Sequence, residues 1–70
     1  MQNKLSLIRR EKNITQQELA ESVGVSRQTI ISIEKGDCVP SLALAFRIAK
    51  FIEKPLEEIF DEGDINKEKC

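Results

Sequence analysis

An all-α fold of five short helices is the prediction this sequence makes, and three observations carry it. Apolar residues recur at helical spacing through most of the chain. Hydroxyl residues suited to capping, Thr15, Ser26 and Ser41, stand directly ahead of such segments. No stretch alternates apolar and polar in the manner of a half-buried strand, and no internal repeat is present.

The first helix is expected from about Asn3 to Lys12, with Leu5 and Ile8 inward and Arg9 beside them, and Asn13-Ile14 break it. Thr15-Gln16-Gln17-Glu18 reads as a capping box, in which the Thr15 hydroxyl accepts from the amide three residues on and Glu18 reaches back to the Thr15 amide. It opens a second helix through Val23, where Gly24 supplies the left-handed residue that a sharp exit needs. Ser26 caps a third helix that stops at Lys35-Gly36. A loop follows through Pro40, and Ser41 caps the fourth and longest helix, Leu42 to about Ile52. Pro55 suits the first turn of a fifth, whose Glu57 and Glu58 favour its N-terminal dipole. Leu56, Ile59 and Phe60 give that helix one apolar face. One domain over residues 1–60 and a polar, flexible tail over 61–70 are therefore expected.

Composition narrows the function classes. Seventy residues with 40% hydrophobic content, three Phe and no Trp or Tyr allow one small, mainly aliphatic core. The absence of His removes the usual zinc ligand sets and most acid–base pairs, so no metal, no cofactor and no enzymatic activity are expected. Cys38 and Cys70 have no CxxC-type partner, and the expectation is two reduced thiols in a cytoplasmic protein. No apolar stretch approaches the roughly 20 residues of a membrane span, and no signal-peptide core opens the chain. The net charge of −1 hides an asymmetry: residues 1–50 hold eight basic and five acidic side chains, residues 51–70 three and seven. The basic half permits a polyanionic partner without demanding one.

The segment from Gln16 to Lys35 is the most informative. Two helices meeting at a large angle across a tight turn must bury set positions against each other. Those positions are apolar: Leu19 and Val23 on the first helix, Val25 in the turn, Ile30 and Ile33 on the second. Ala20 is small where the helices cross, and Gly24 stands where the turn needs positive φ. With TQQELAESVGVSRQTIISIEKG followed by PSLALAFRIAKFIEKPLEEIF, residues 3–60 resemble the Cro/cI-type (Xre-like) phage-repressor helix-turn-helix family. The resemblance implies a compact five-helix, lambda-repressor-like DNA-binding domain whose third helix enters the major groove.

The helical wheel of that third helix agrees. Ile30, Ile33 and Glu34 cluster on one side, Gln28, Ser32 and Lys35 lie opposite, and Ile31 is on the flank. Arg27, in the first turn, can swing outward. Arg27 can pair with guanine O6/N7 and Gln28 with adenine N6/N7. The resemblance adds Gln16 as a brace for the recognition helix and a phosphate contact, Thr29 near the backbone or a thymine methyl, and Ser32 at a base-reading position with a short side chain. Ser26 is either a phosphate contact or simply a cap, and Lys35 with Gly36 opens a loop along the phosphates. Arg9 and Glu34 match a recurrent family pair on inward faces, which would fix the angle of the recognition helix; the alternative is two unrelated surface charges.

The fourth helix is apolar over a wide arc. Leu42, Ala45, Ile48, Ala49 and Ile52 make the expected inward stripe, and Phe46 lies on one flank. Leu44 and Phe51, seven residues apart, form a second seam, either a homodimer interface or a surface covered by the fifth helix. The reading is a sequence-specific DNA-binding transcription regulator, with repression the expected sign, acting as a homodimer on an operator. No ligand-sensing domain is expected within these 70 residues. The competing class is an antitoxin-like module that binds a partner protein through the fourth helix or the acidic tail as well as DNA.

Overall fold

The computed structural model describes residues 4–60 and places five helices there: α1 Leu5–Glu11, α2 Gln16–Val23, α3 Arg27–Lys35, α4 Leu42–Ile52 and α5 Leu56–Ile59. The expected tail 61–70, with Cys70, and the expected start of the first helix at Asn3 lie outside the described residues.

Local chemistry sets the helix starts. The Thr15 hydroxyl accepts from the Glu18 amide at 3.0 Å while the Thr15 amide donates to the Glu18 carboxylate at 2.9 Å, so both halves of the capping box are formed. Ser26 and Ser41 accept from the Thr29 and Leu44 amides, each at 3.2 Å. Pro55 sits immediately ahead of α5 rather than inside its first turn.

The ends of the first four helices share one device. Asn13, Gly24, Gly36 and Glu53 turn the chain through the left-handed region, with φ of 60, 80, 78 and 59°. The next amide in each case, that of Ile14, Val25, Asp37 or Lys54, donates back to the carbonyl of Arg9, Ala20, Ser32 or Ala49 at 3.0–3.1 Å. Carbonyls that a helix end would otherwise strand are thereby satisfied.

Packing gathers the buried faces around α2, which lies against both α3 and α4. Leu5, Leu19, Ile30, Ile33, Ile48, Ile52 and Ile59 are fully buried. Each such side chain is worth about 1.5–3 kcal/mol relative to exposure, a large share of what so small a domain can muster. Ala20 is also fully buried, as a close helix crossing requires, and Val25 packs half-buried against the core. The Lys4 amide donates to the Ile59 carbonyl at 3.1 Å and ties the start of α1 to the end of α5.

Two expectations are corrected. The buried stripe of α4 is Leu44, Ala45, Ile48 and Ile52, whereas Leu42 is 68% exposed and Ala49 half-buried. The buried arc of α4 is thus turned toward Leu44 and away from Leu42 and Ala49. Leu42, at the first helical position, points back past the helix start instead. Leu44 therefore belongs to the core and is not half of a surface seam, while Phe51 stays 41% exposed. The second correction concerns Cys38, which is disulfide-bonded and not a reduced thiol. Its half-buried place beside the core is decided by how the 37–40 loop folds back, which spacing in the sequence does not encode.

Candidate nucleic-acid interface

The site begins with a buried ion pair. Arg9 on α1 and Glu34 on α3 are 7% and 6% exposed. Arg9 Nε donates to Glu34 Oε2 at 2.6 Å, and a second guanidinium nitrogen reaches Oε1 at 3.3 Å. This two-pronged geometry is the form in which Arg fixes a carboxylate most firmly. The remaining Arg9 nitrogen donates to the Ile14 carbonyl at 2.7 Å, in the turn that leads into α2. Gln16, the first residue of α2, donates through Nε2 to Glu34 Oε1 at 3.0 Å. One arginine and one glutamate thus join α1, the α1–α2 turn, the start of α2 and the C-terminal half of α3. Among the described residues no buried side-chain nitrogen or oxygen is left without a partner. The gain from such a network is orientation more than net stability, since desolvating the charges offsets much of their attraction.

With Glu34, Ile30 and Ile33 held inward, the opposite side of α3 is fixed outward. Arg27, Gln28 and Lys35 are exposed, and Thr29, Ile31 and Ser32 are half-buried beside them. Arg27 and Gln28 occupy the first turn, next to the Ser26 cap. The Ser26 hydroxyl is occupied twice, accepting from the Thr29 amide and sharing a 3.0 Å hydrogen bond with the Thr29 hydroxyl. The capping role of Ser26 is thus present, and the Thr29 hydroxyl is tied to it. Lys35 closes α3 beside the left-handed Gly36, at the edge of the loop to Ser41.

At the start of α2 the capping box places the fully exposed Glu18 carboxylate against the Thr15 amide. That backbone N–H, and after it the Thr15 hydroxyl, hold the Glu18 pKa below its ordinary value of 4.5. No helix among the described residues is long and apolar enough to cross a membrane.

Sequence reasoning places the Arg9–Glu34 pair together, and the structure does so. It does not anticipate the direct bond from Gln16 to the same carboxylate, nor the Ile14 carbonyl as an Arg9 acceptor. The signal for the first is the acceptor capacity of a buried carboxylate, which one arginine does not exhaust. Leu44, expected at a dimer seam, is not on the surface.

Residues 5–59 match the family described as helix-turn-helix. Over 60 residues the chain is 58% identical to an uncharacterised HTH-type transcriptional regulator of Methanocaldococcus jannaschii, covering 86% of this chain and 91% of the other. It is 47% identical to the uncharacterised HTH-type transcriptional regulator YgzD of Bacillus subtilis, with the same coverage of each. It is 31% identical over 64 residues to RstR, the cryptic phage CTXphi transcriptional repressor of Vibrio cholerae, across 91% of this chain and 58% of that protein. The chain belongs to the helix-turn-helix family of DNA-binding transcriptional regulators.

Proposed function

We propose that α3 is the recognition helix, with Arg27 and Gln28 reading base edges in the major groove. The observation that carries this is their placement: both project from the first turn of α3, while the far end of the helix is locked inward through Glu34. A long, flexible side chain reads a base only if the backbone beneath it is held, and the Arg9–Glu34–Gln16 network holds it. Arg27 suits guanine and Gln28 adenine. Ser32 and Thr29, half-buried, contribute at close range, and Lys35 meets phosphate. Gln16 has a second N–H beyond the one given to Glu34, and this donates to phosphate. Ser26 acts as the cap.

The regulator works as a homodimer in the cytoplasm and represses by occupying its operator. One recognition helix spans only a few base pairs, and two placed about 34–36 Å apart read successive turns of one duplex face. The relative named as a repressor supports the sign. Selecting bound duplexes from a random library tests the reading: a two-fold symmetric consensus is expected, and it should lose definition at one position per half-site in Arg27→Ala and in Gln28→Ala. Retention of the parent consensus and affinity by the double variant would reject α3 as the reader.

A further inference from the structure

Helix α3 carries three isoleucines, and two of them serve the core. Ile30 and Ile33 are fully buried within it. Among the described residues, the half-buried apolar side chains packed against that core are Ile14, Val25, Cys38, Ala49 and Phe60, and Ile31 is not one of them. Its place on the helix accounts for this. At 100° per residue Ile31 stands about 40° from Arg27, one turn before it, and about 40° from Lys35, one turn after it. Both of these are exposed, as is Gln28, while Ile31 itself is half-buried. An apolar side chain thus stands among the polar ones proposed to meet DNA, at a position where the packing of the core does not call for it.

The major groove offers such a side chain a narrow choice. Base edges there present hydrogen-bond donors and acceptors, with one apolar group, the C5-methyl of thymine. A 5-methylcytosine presents the same methyl from the same ring position. Against any other edge an isoleucine strips water from polar atoms and returns no hydrogen bond, which costs affinity. The side chain also suits the task mechanically. Its β-branch leaves one strongly preferred χ1 in a helix, so little freedom is lost on contact. We propose that Ile31 reads the C5-methyl of a pyrimidine, one turn of α3 beyond the contacts of Arg27 and Gln28. A helical turn advances about 5.4 Å and successive base pairs about 3.4 Å, so this pyrimidine lies within about two base pairs of those that Arg27 and Gln28 read. The proposal rests on the reading of α3 as the recognition helix and adds a residue to its specificity.

The test adds and removes single methyl groups on DNA. Using the full chain and a duplex recovered by selection, each thymine is replaced in turn by deoxyuridine and, in a second set, each cytosine by 5-methylcytosine. At one position per half-site the parent should change affinity about fourfold, the effect of burying one methyl group. A loss with deoxyuridine identifies thymine as the source of the methyl, and a gain with 5-methylcytosine identifies a methylated cytosine. Ile31→Ala should bind the parent duplex about fourfold more weakly and become indifferent to the methyl at that position, with circular dichroism unchanged. Ile31→Val, which keeps the β-branch, should retain most of the sensitivity. A parent indifferent to the methyl at every position overturns the proposal, and so does an Ile31→Ala variant that keeps the parent's sensitivity at the same position. Both results leave the recognition helix in place when Arg27→Ala and Gln28→Ala each still relax one base preference. If neither variant relaxes any, α3 is not the reader and the proposal falls with it.

Discussion

The Gln16 side-chain amide meets the Glu34 carboxylate at 3.0 Å, across 18 residues of sequence, and Arg9 grips the same carboxylate from the other side at 2.6 Å. The helix proposed to read bases and the helix start proposed to touch phosphate are therefore not independent. A change that loosens Glu34 moves both, so an affinity loss at Gln16 mixes a lost phosphate contact with a tilted α3.

Breaking the pair from one side should cost far more than replacing both partners. Arg9→Met or Glu34→Leu alone leaves a buried charge without its counter-ion, a penalty of about 3–5 kcal/mol. The double variant removes both charges and should recover most of that loss. For a domain of this size 1 kcal/mol moves Tm by about 4–8 °C, so thermal unfolding resolves the difference easily. Additive losses in the double variant would mean that the two residues act separately.

Arg27→Ala and Gln28→Ala should each weaken specific binding by about 1–3 kcal/mol and relax one base preference. Both side chains are exposed, so unfolding curves should match the parent. Titration against duplexes carrying each base change in turn provides the measurement.

Lys35→Ala should act differently, weakening all sequences alike and lowering the salt slope of log K by about 1. Equilibrium binding at four or five salt concentrations separates this phosphate behaviour from base reading. A sequence-dependent loss would transfer Lys35 to the base-contacting set.

Gly24→Ala should destabilise by about 1–2 kcal/mol although an added Cβ meets nothing within 4 Å. The penalty is purely that of φ 80°. Gly24→Asn should be milder, because Asn tolerates the left-handed region. Equal losses in Ala and Asn would point to a steric cause instead.

Glu18 makes part of the stability pH-dependent. Its carboxyl is held below 4.5 in the folded state by the Thr15 amide and then the Thr15 hydroxyl. The stabilisation is whole above the unfolded value and is lost as pH falls through the lower, folded one. Between about pH 5 and pH 3 the parent should lose Tm faster than Glu18→Gln, which cannot titrate. Parallel Tm profiles would mean that the capping box carries no charge-dependent stability.

Much of this architecture is written in short-range signals. Thr15, Ser26, Ser41, Gly24 and Gly36 act on amides and carbonyls a few residues away, so the sequence marks where helices begin and end. The outward face of α3 is legible for the same reason, since Ile30 and Ile33 alternate with polar residues on a single wheel. The buried edge of α4 is not. Leu42-Ala43-Leu44-Ala45-Phe46 offers no polar residue to mark the solvent side, and it is the rotation of α4 against its packed neighbours that puts Leu44 in and leaves Leu42 out. Cys38 is the same kind of case, because its bonding depends on chain path and not on its neighbours in sequence. The Gln16–Glu34 bond is intermediate: its residue types are visible, and its geometry waits on the angle between α2 and α3.

The 3.1 Å bond from the Lys4 amide to the Ile59 carbonyl closes the path of the chain into a ring. Topologically, the five helices then have a cyclic order with no preferred first member. A short peptide joining the two sides of that bond would permit circular permutation, with new ends cut at an exposed turn such as Lys12-Asn13. It also makes the domain an insertable cassette: set into a surface loop of a host protein, it would need its host's two anchor points only a few ångströms apart.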